Sequence, residues 1–84
     1  VPAGSFTIDR TGQIVTSTLP HSFQTALLLA IGRQVLAAFR SAERAEMRLG
    51  ELVIHYPKLK LVACEERGGA FVLLTPQMGY ARVQ

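Results

Sequence analysis

The chain has 84 residues, a formal net charge of +3 and a single cysteine, Cys64. A chain of this length forms one domain, residues 1–84, and buries only about 60–65% of the surface that it exposes when unfolded. Its longest run without a polar residue, 26–31, is far shorter than the roughly 20 residues needed to span a bilayer, so we expect no membrane insertion. A single thiol excludes an internal disulfide and fits a reducing compartment, which favours a cytoplasmic protein.

The basic residues are mostly arginine and are dispersed along the chain. Nucleic-acid binding requires a basic stripe interleaved with stacking aromatic side chains. The aromatic residues here occupy strand-like positions that are typical of a core, so we expect no nucleic-acid partner.

The first elements are predicted to form a β-hairpin. Phe6 and Ile8 alternate with polar residues before a turn at residues 9–12, and Ile14 and Val15 begin the return strand. Asp9 can accept hydrogen bonds from the backbone of this turn, and Gly12 can adopt a positive φ without steric cost. The return strand is predicted to end before Pro20, because the residue preceding a proline avoids helical backbone.

A long amphipathic helix is predicted from Ser22 to about Ala45, and the rest of the fold is organised around it. At about 100° per residue, its apolar residues form a stripe that would face the core. The stripe consists of Leu28, Ile31, Val35, Phe39 and Ala42. Ser22 is the predicted N-cap, and Gly50 is the predicted terminator, with the helix ending between Ala42 and Leu49.

Gly32 lies inside this helix, where glycine costs about 1 kcal/mol relative to alanine. Tolerated local variation would explain it, but we favour a packing reason. We predict that a side chain at this position would collide with the sheet or with a neighbouring helix.

Small and basic side chains share the side of the helix opposite the apolar stripe. This band contains Ala26, Ala30, Ala37, Arg33, Arg40, Arg44 and Ser41. Small side chains would let a second helix approach closely. From the residues alone, solvent exposure and an interface are equally open interpretations of the band.

Three strands are predicted within residues 51–76. In the first of them, one face carries the residues Leu52, Ile54 and Tyr56, and the other carries Val53 and His55. Turns are predicted at Pro57-Lys58 and at residues 66–69.

The last strand, Ala70–Leu74, is apolar at every position, as is typical of a strand that is buried on both faces. A single helix covers only one face of a sheet. We therefore expect the second face to be covered by residues 77–84, by a flanking segment or by another copy of the chain.

The residues offer little for catalysis or metal binding. His21 and His55 each lack a second ligand at metal-binding spacing. His55 and Cys64 could lie on adjacent strands as a nucleophile pair, but no Asn or Asp nearby would orient the histidine, and a lone strand cysteine is usually a core residue. Gly68-Gly69 joins two strands instead of opening a helix, unlike a nucleotide-binding loop. We therefore expect no catalytic, cofactor-binding or metal-binding residues and no enzyme activity.

The order of elements resembles the Roadblock/LC7 family. Residues 4–20 resemble its first β-hairpin, residues 30–39 its central helix, and residues 49–74 its last three strands. The resemblance implies an α+β fold in which a five-stranded antiparallel sheet carries one long helix on one face, an architecture shared with profilins. The family also has terminal helices on the other face, which we expect to be absent or truncated in this chain.

The resemblance also implies a function. Members of this family form homodimers, or heterodimers with a related Roadblock subunit, in which the long helices lie side by side and the third strands pair edge to edge. Transferred to this chain, residues 51–56 would form the pairing edge, and the dimer or partner interface would contain Ala26, Ala30, Arg33, Ala37, Arg40, Arg44, Leu52, Ile54 and Tyr56. The expected role is a noncatalytic scaffold or regulator of a Ras-like small GTPase. None of the arginines is assigned as an arginine finger, since such regulators position the GTPase's own catalytic groups.

Two other functions remain open from the sequence. One is a small-ligand sensory module of PAS-like or profilin-like build, with a pocket between the helix and the sheet. The large side chains around Leu28 argue against it, because they would fill that space. The other is a structural dimerisation domain within a longer protein.

Overall fold

Alternating apolar residues build a five-stranded antiparallel sheet, and the amphipathic helix lies across one face of it. The structure, a computed structural model, describes residues 3–77. Its elements in chain order are β1 Gly4–Ile8, β2 Ile14–Ser17, α1 Thr25–Arg44, β3 Glu51–Tyr56, β4 Leu59–Glu66 and β5 Gly69–Pro76. The predicted α+β fold, with one long helix on a five-stranded sheet, is confirmed.

The strand order is β2-β1-β5-β4-β3, so β5 pairs with both β1 and β4 in the middle of the sheet. Phe6 lies opposite Val72 across β1 and β5, and Val72 lies opposite Ala63 across β5 and β4. Because directly paired residues of an antiparallel sheet point to the same face, these side chains share the helix-facing side. The order leaves β2 and β3 as the two edges.

The core lies between this face and the helix. The largest side chains that are completely enclosed are those of Phe6, Leu61, Leu74, Val35 and Val72. Leu28, Ile31 and Phe39 are also buried, as the predicted stripe required, whereas Ala42 is half-buried. Large apolar side chains thus fill the layer in which a sensory module would hold its ligand.

The helix starts later than predicted. It begins at Thr25, and its N-cap is Gln24, which makes no side-chain hydrogen bond to the first turn. The prediction of Ser22 as N-cap is wrong, because Phe23 N–H bonds to the Pro20 carbonyl and closes a separate turn before the helix. A serine close to a proline fits either turn, so the residue type alone does not decide between them.

The helix also ends before the predicted terminator. Its last residue is Arg44, and Glu46 adopts a left-handed conformation with φ of 58°. Met47 N–H bonds to the Ala42 carbonyl and Glu46 N–H to the Glu43 carbonyl, which is the Schellman pattern. Gly50 is therefore not the terminator. A glutamate occupies the position that glycine usually holds.

Gly32 lies in a tight contact with the sheet, which agrees with the packing explanation. A Cβ at this position would lie 3.1 Å from Cδ1 and 3.3 Å from Cγ2 of Ile8. Both distances are shorter than ordinary van der Waals contact, so the missing side chain brings the helix close to β1.

The predicted turn at residues 9–12 is confirmed. The Asp9 carboxylate accepts hydrogen bonds from Thr11 N at 2.9 Å, Thr11 Oγ1 at 2.6 Å and Gln13 N at 3.1 Å. The Thr11 hydroxyl bond is the main reason that the pKa of Asp9 lies below its ordinary value of 3.8, and the Gln13 N–H adds to it. Gly12 has a φ of 90°, in the region that favours glycine.

The second sheet face is partly open within residues 3–77. Ala70, Val72 and Leu74 are buried under the helix, but Phe71 on the opposite face is 38% exposed and Leu73 is half-buried. This is the face for which the sequence predicts a cover from residues 77–84, a flanking segment or a second copy, and that cover remains a prediction. Residues 78–84 and the terminal helices lie outside the described residues.

Candidate interaction surface

The outer side of β3 is unpaired within the part of the chain that the structure describes. β3 pairs with β4 without any shift in register, from Glu51 opposite Cys64 to Tyr56 opposite Leu59. An edge strand of this kind presents a row of backbone N–H and C=O groups that a further strand can pair with.

The helix side beside this edge is apolar or neutral. Tyr56 Oη donates a 3.4 Å hydrogen bond to Gln34 Oε1, which links the helix to β3 at the surface. A cleft of about 260 Å³ lies between the two elements and is lined by Leu27, Ala30, Ile31, Gln34, Tyr56 and Leu59. Leu27 is 48% exposed. At helical spacing, Ala38 and Ser41 continue this side of the helix, which therefore carries no charged residue.

In the structure, the residues of the predicted small-residue band lie on different sides of the helix. Ala30 lies beside the β3 edge, as a lining residue of the cleft. By helical spacing, the side chains that point away from the sheet are Ala26, Arg33, Ala37 and Arg44, all exposed. Arg40 lies on the other side of the helix, where its Nη2 donates to the Arg10 carbonyl of the β1–β2 turn.

The three strand residues of the predicted interface are half-buried. Leu52, Ile54 and Tyr56 pack against the core on the helix-facing side. The exposed side chains of β3 are those of Glu51, Val53 and His55 on the opposite face. The interface role of all these residues remains a prediction.

Two residues at this edge were absent from the predicted interface, namely Leu27 and Gln34. Leu27 adjoins the predicted core stripe in the sequence, and its exposure of 48% is evident only once the strand order is known. Gln34 interrupts a run of apolar residues, which is the only sequence signal that it carries.

The structure separates the residues of the conceivable nucleophile pair. His55 lies opposite Lys60, whereas Cys64 lies opposite Glu51 at the far end of β3. The imidazole Nδ1 instead lies 3.0 Å from Gln77 Oε1, and Gln77 Nε2 donates to the Tyr56 carbonyl at 2.8 Å. Across residues 3–77, no group of three or more His, Cys, Asp and Glu side chains is placed to hold a metal ion. No described helix is long and apolar enough to cross a membrane.

No protein-family model matches the sequence, and no characterised protein is significantly similar to it in sequence. The fold, however, is similar to that of Myxococcus xanthus MglB, a Roadblock/LC7-family protein, with a TM-score of 0.73 over 90% of this chain and 16% sequence identity. The match covers 65% of the MglB chain. The resemblance to the Roadblock/LC7 family, inferred from the order of elements, is thus confirmed at the level of the fold.

Proposed function

We propose that this chain is a noncatalytic dimerising domain that docks or regulates a Ras-like small GTPase. The observation that carries the proposal is the unpaired β3 edge beside a helix side without charge. A strand edge bordered by small and neutral side chains can accept the same edge of a second copy, with the two helices in contact. Association would also cover apolar surface at Leu27, which the single chain leaves 48% exposed.

The fold likeness to MglB, a GTPase-activating protein, supports the GTPase part of the proposal. At 16% identity this likeness concerns the fold, so the partner is inferred by analogy. The single cysteine is consistent with action in the cytoplasm, where we place the protein.

The arginines are proposed to contribute binding rather than catalysis. Arg33 and Arg44 are exposed on the outer side of the helix, and Arg40 is bonded to the Arg10 carbonyl. An acidic surface on the partner would complement Arg33 and Arg44. The hydrolytic groups would be those of the GTPase itself.

The proposal is tested first by assembly and then by activity. Light scattering across a concentration series is expected to give the mass of a dimer. The protein is then added to each Ras-like GTPase encoded in the same genome, loaded with GTP, and phosphate release and nucleotide exchange are measured. A change in either rate supports regulation. Binding without a rate change supports docking alone, and no binding to any of these GTPases contradicts the GTPase proposal.

A matched pair of variants links the two measurements. Ala30→Glu places a charge on the surface beside β3, and Val15→Glu places the same charge on the opposite sheet edge, where Val15 is 63% exposed. If regulation requires the dimer, only Ala30→Glu reduces both the mass and the effect on the GTPase.

A further inference from the structure

Alternate residues of β3 direct their backbone groups outward. Tyr56 and Leu59 flank the two-residue turn at residues 57–58, so they form a hydrogen-bonded pair. Hydrogen-bonded pairs alternate along an antiparallel ladder. The N–H and C=O groups of Leu52 and Ile54 therefore point toward β4, and those of Glu51, Val53 and His55 point toward the free edge.

Only one antiparallel pairing of two β3 strands gives the backbone groups of Glu51, Val53 and His55 hydrogen-bonding partners in the second strand. If Val53 faces itself across the two-fold axis, then Glu51 and His55 face each other, and every outward residue meets another. If Ile54 lies on the axis, Glu51 faces Pro57, which has no N–H to donate. If Leu52 lies on the axis, His55 faces Leu49, which lies before the strand begins.

The side chains favour the same register. On the face opposite the helix, Leu73 lies opposite Val62, and Val62 lies opposite Val53. A second copy joined at Val53 would extend this apolar row into its own, and would cover a side chain that is 44% exposed. The other registers would place Val53 against a polar side chain, either Glu51 or His55.

A charged side chain also favours this register. Lys60 lies opposite His55, so its ammonium group lies one strand away from whichever residue of the second copy faces His55. In the Val53-centred register, the residue that faces His55 is the partner's Glu51, whose charge is opposite to that of Lys60. The contact would occur twice, once on each side of the axis.

We infer that β3 of one copy pairs with β3 of another in an antiparallel register centred on Val53, in which Glu51 faces the partner's His55. The inference rests on the dimerisation in the proposed function and adds the register. The helix side beside β3 brings no charged residue to the interface, and the cleft lined by Leu27 and Ala30 lies on that same side of the helix.

Cysteine cross-linking tests the register directly. Three variants, Leu52→Cys, Val53→Cys and Ile54→Cys, are prepared with Cys64→Ser so that each chain has one thiol. A residue on the two-fold axis lies within disulfide distance of its own copy, at about 4.4–6.8 Å between Cα atoms. Only Val53→Cys is expected to form a disulfide dimer under mild oxidation. Val15→Cys, on the opposite sheet edge, serves as the control for random collision.

A charge exchange provides an independent test. Glu51→Lys removes the carboxylate that faces His55 and puts a second ammonium group in the row that contains Lys60. It is expected to weaken association by about two- to thirtyfold, from two cross-strand pairs. Combining Glu51→Lys with His55→Glu restores opposite charges and is expected to recover most of the affinity. Glu66→Lys makes the same change on the same sheet face away from the edge and should leave association unchanged.

Different results would contradict the register and the dimerisation. Cross-linking at residue 52 or 54 overturns the register, as does a dimer by light scattering that cross-links at none of the three positions. A charge exchange without recovery also overturns it. A protein that is monomeric at all concentrations refutes the dimerisation itself, and the register with it.

Discussion

The two edge strands of the sheet, β2 and β3, differ in length and in the regularity of their pairing. The edge at β2 has four residues, and Val15 bulges where the register shifts between Thr7 and Ile8. The Asp9 turn and the Arg40 bond to the Arg10 carbonyl fix the adjoining loop. The edge at β3 has six residues in unbroken register. A short bulged strand resists further pairing, whereas a regular strand can act as a template.

Because the two edges differ, we expect substitutions near them to affect different properties. Substitutions near the β1–β2 turn should change the free energy of unfolding and leave association unchanged. Substitutions beside β3 should change association and leave the folding of the single chain nearly intact. Measurements on variants at both ends of the sheet test whether the two edges differ in this way.

Ala30→Glu is expected to have the largest effect. A carboxylate buried in the proposed interface without a partner costs about 3 kcal/mol or more, which weakens association at least about a hundredfold. Sedimentation velocity across a concentration series measures the change. Val15→Glu should keep the wild-type mass. Equal effects of the two variants would show that the edges do not differ.

Gly69→Ala comes next and acts on folding. A Cβ at Gly69 would overlap the Ile8 carbonyl oxygen and lie 2.9 Å from Asp9 Cα, so β1 and β5 would have to separate. We expect a loss of about 1–3 kcal/mol in the free energy of unfolding, measured by urea denaturation. Gly50→Ala is the matched control, because no atom lies within 4 Å of an added Cβ there. A stable Gly69→Ala protein would contradict the observed packing.

Glu46→Gly should stabilise the chain. Glu46 holds a φ of 58° at the end of the helix, where glycine has no steric penalty. The expected gain is about 0.5–1 kcal/mol in the free energy of unfolding. Glu43→Gly, inside the helix, should instead cost about 1 kcal/mol. Neither variant should change the dimer dissociation constant when both are compared as folded protein.

The smallest effect is expected at Asp9 and depends on pH. Because the pKa of its carboxyl is lower in the folded chain than the ordinary 3.8, the unfolded chain takes up the proton first on acidification. The contribution to stability is therefore present above the unfolded pKa and is lost as pH falls through the folded one. Thermal unfolding between about pH 5 and pH 2 should show a shallower decline for Asp9→Asn than for wild type. Parallel declines would exclude this contribution.

Much of the fold was predictable from local patterns. Period-two alternation located β1, β3 and β4, a continuous apolar run located β5, and the stripe from Leu28 to Phe39 identified the buried side of the helix. The turn preferences of Asp9 and Gly12 correctly predicted the turn at residues 9–12. The helix limits were less predictable, since Gln24 and Glu46 are residues that the usual capping preferences would not select.

The candidate surface was only partly predictable. Helical spacing separates the apolar stripe from the outer band, but it does not say which flank of the band lies beside a sheet edge. Ala30 and Arg40 belong to one band in the sequence, yet they lie on opposite flanks of the helix in the fold. The exposure of Leu27 depends on the same arrangement.

The sequence by itself determined which residues form strands, which side of the helix is buried and where the first hairpin turns, because successive residues encode these features through periodicity and local hydrogen bonding. The tertiary structure decided that β5 lies between β1 and β4. That long-range pairing makes β3 an edge, sets Val53 in a row with Val62 and Leu73, and places the uncharged flank of the helix beside it. Strand order depends on contacts between residues far apart in the chain, and it is strand order that creates the surface on which the proposed function rests.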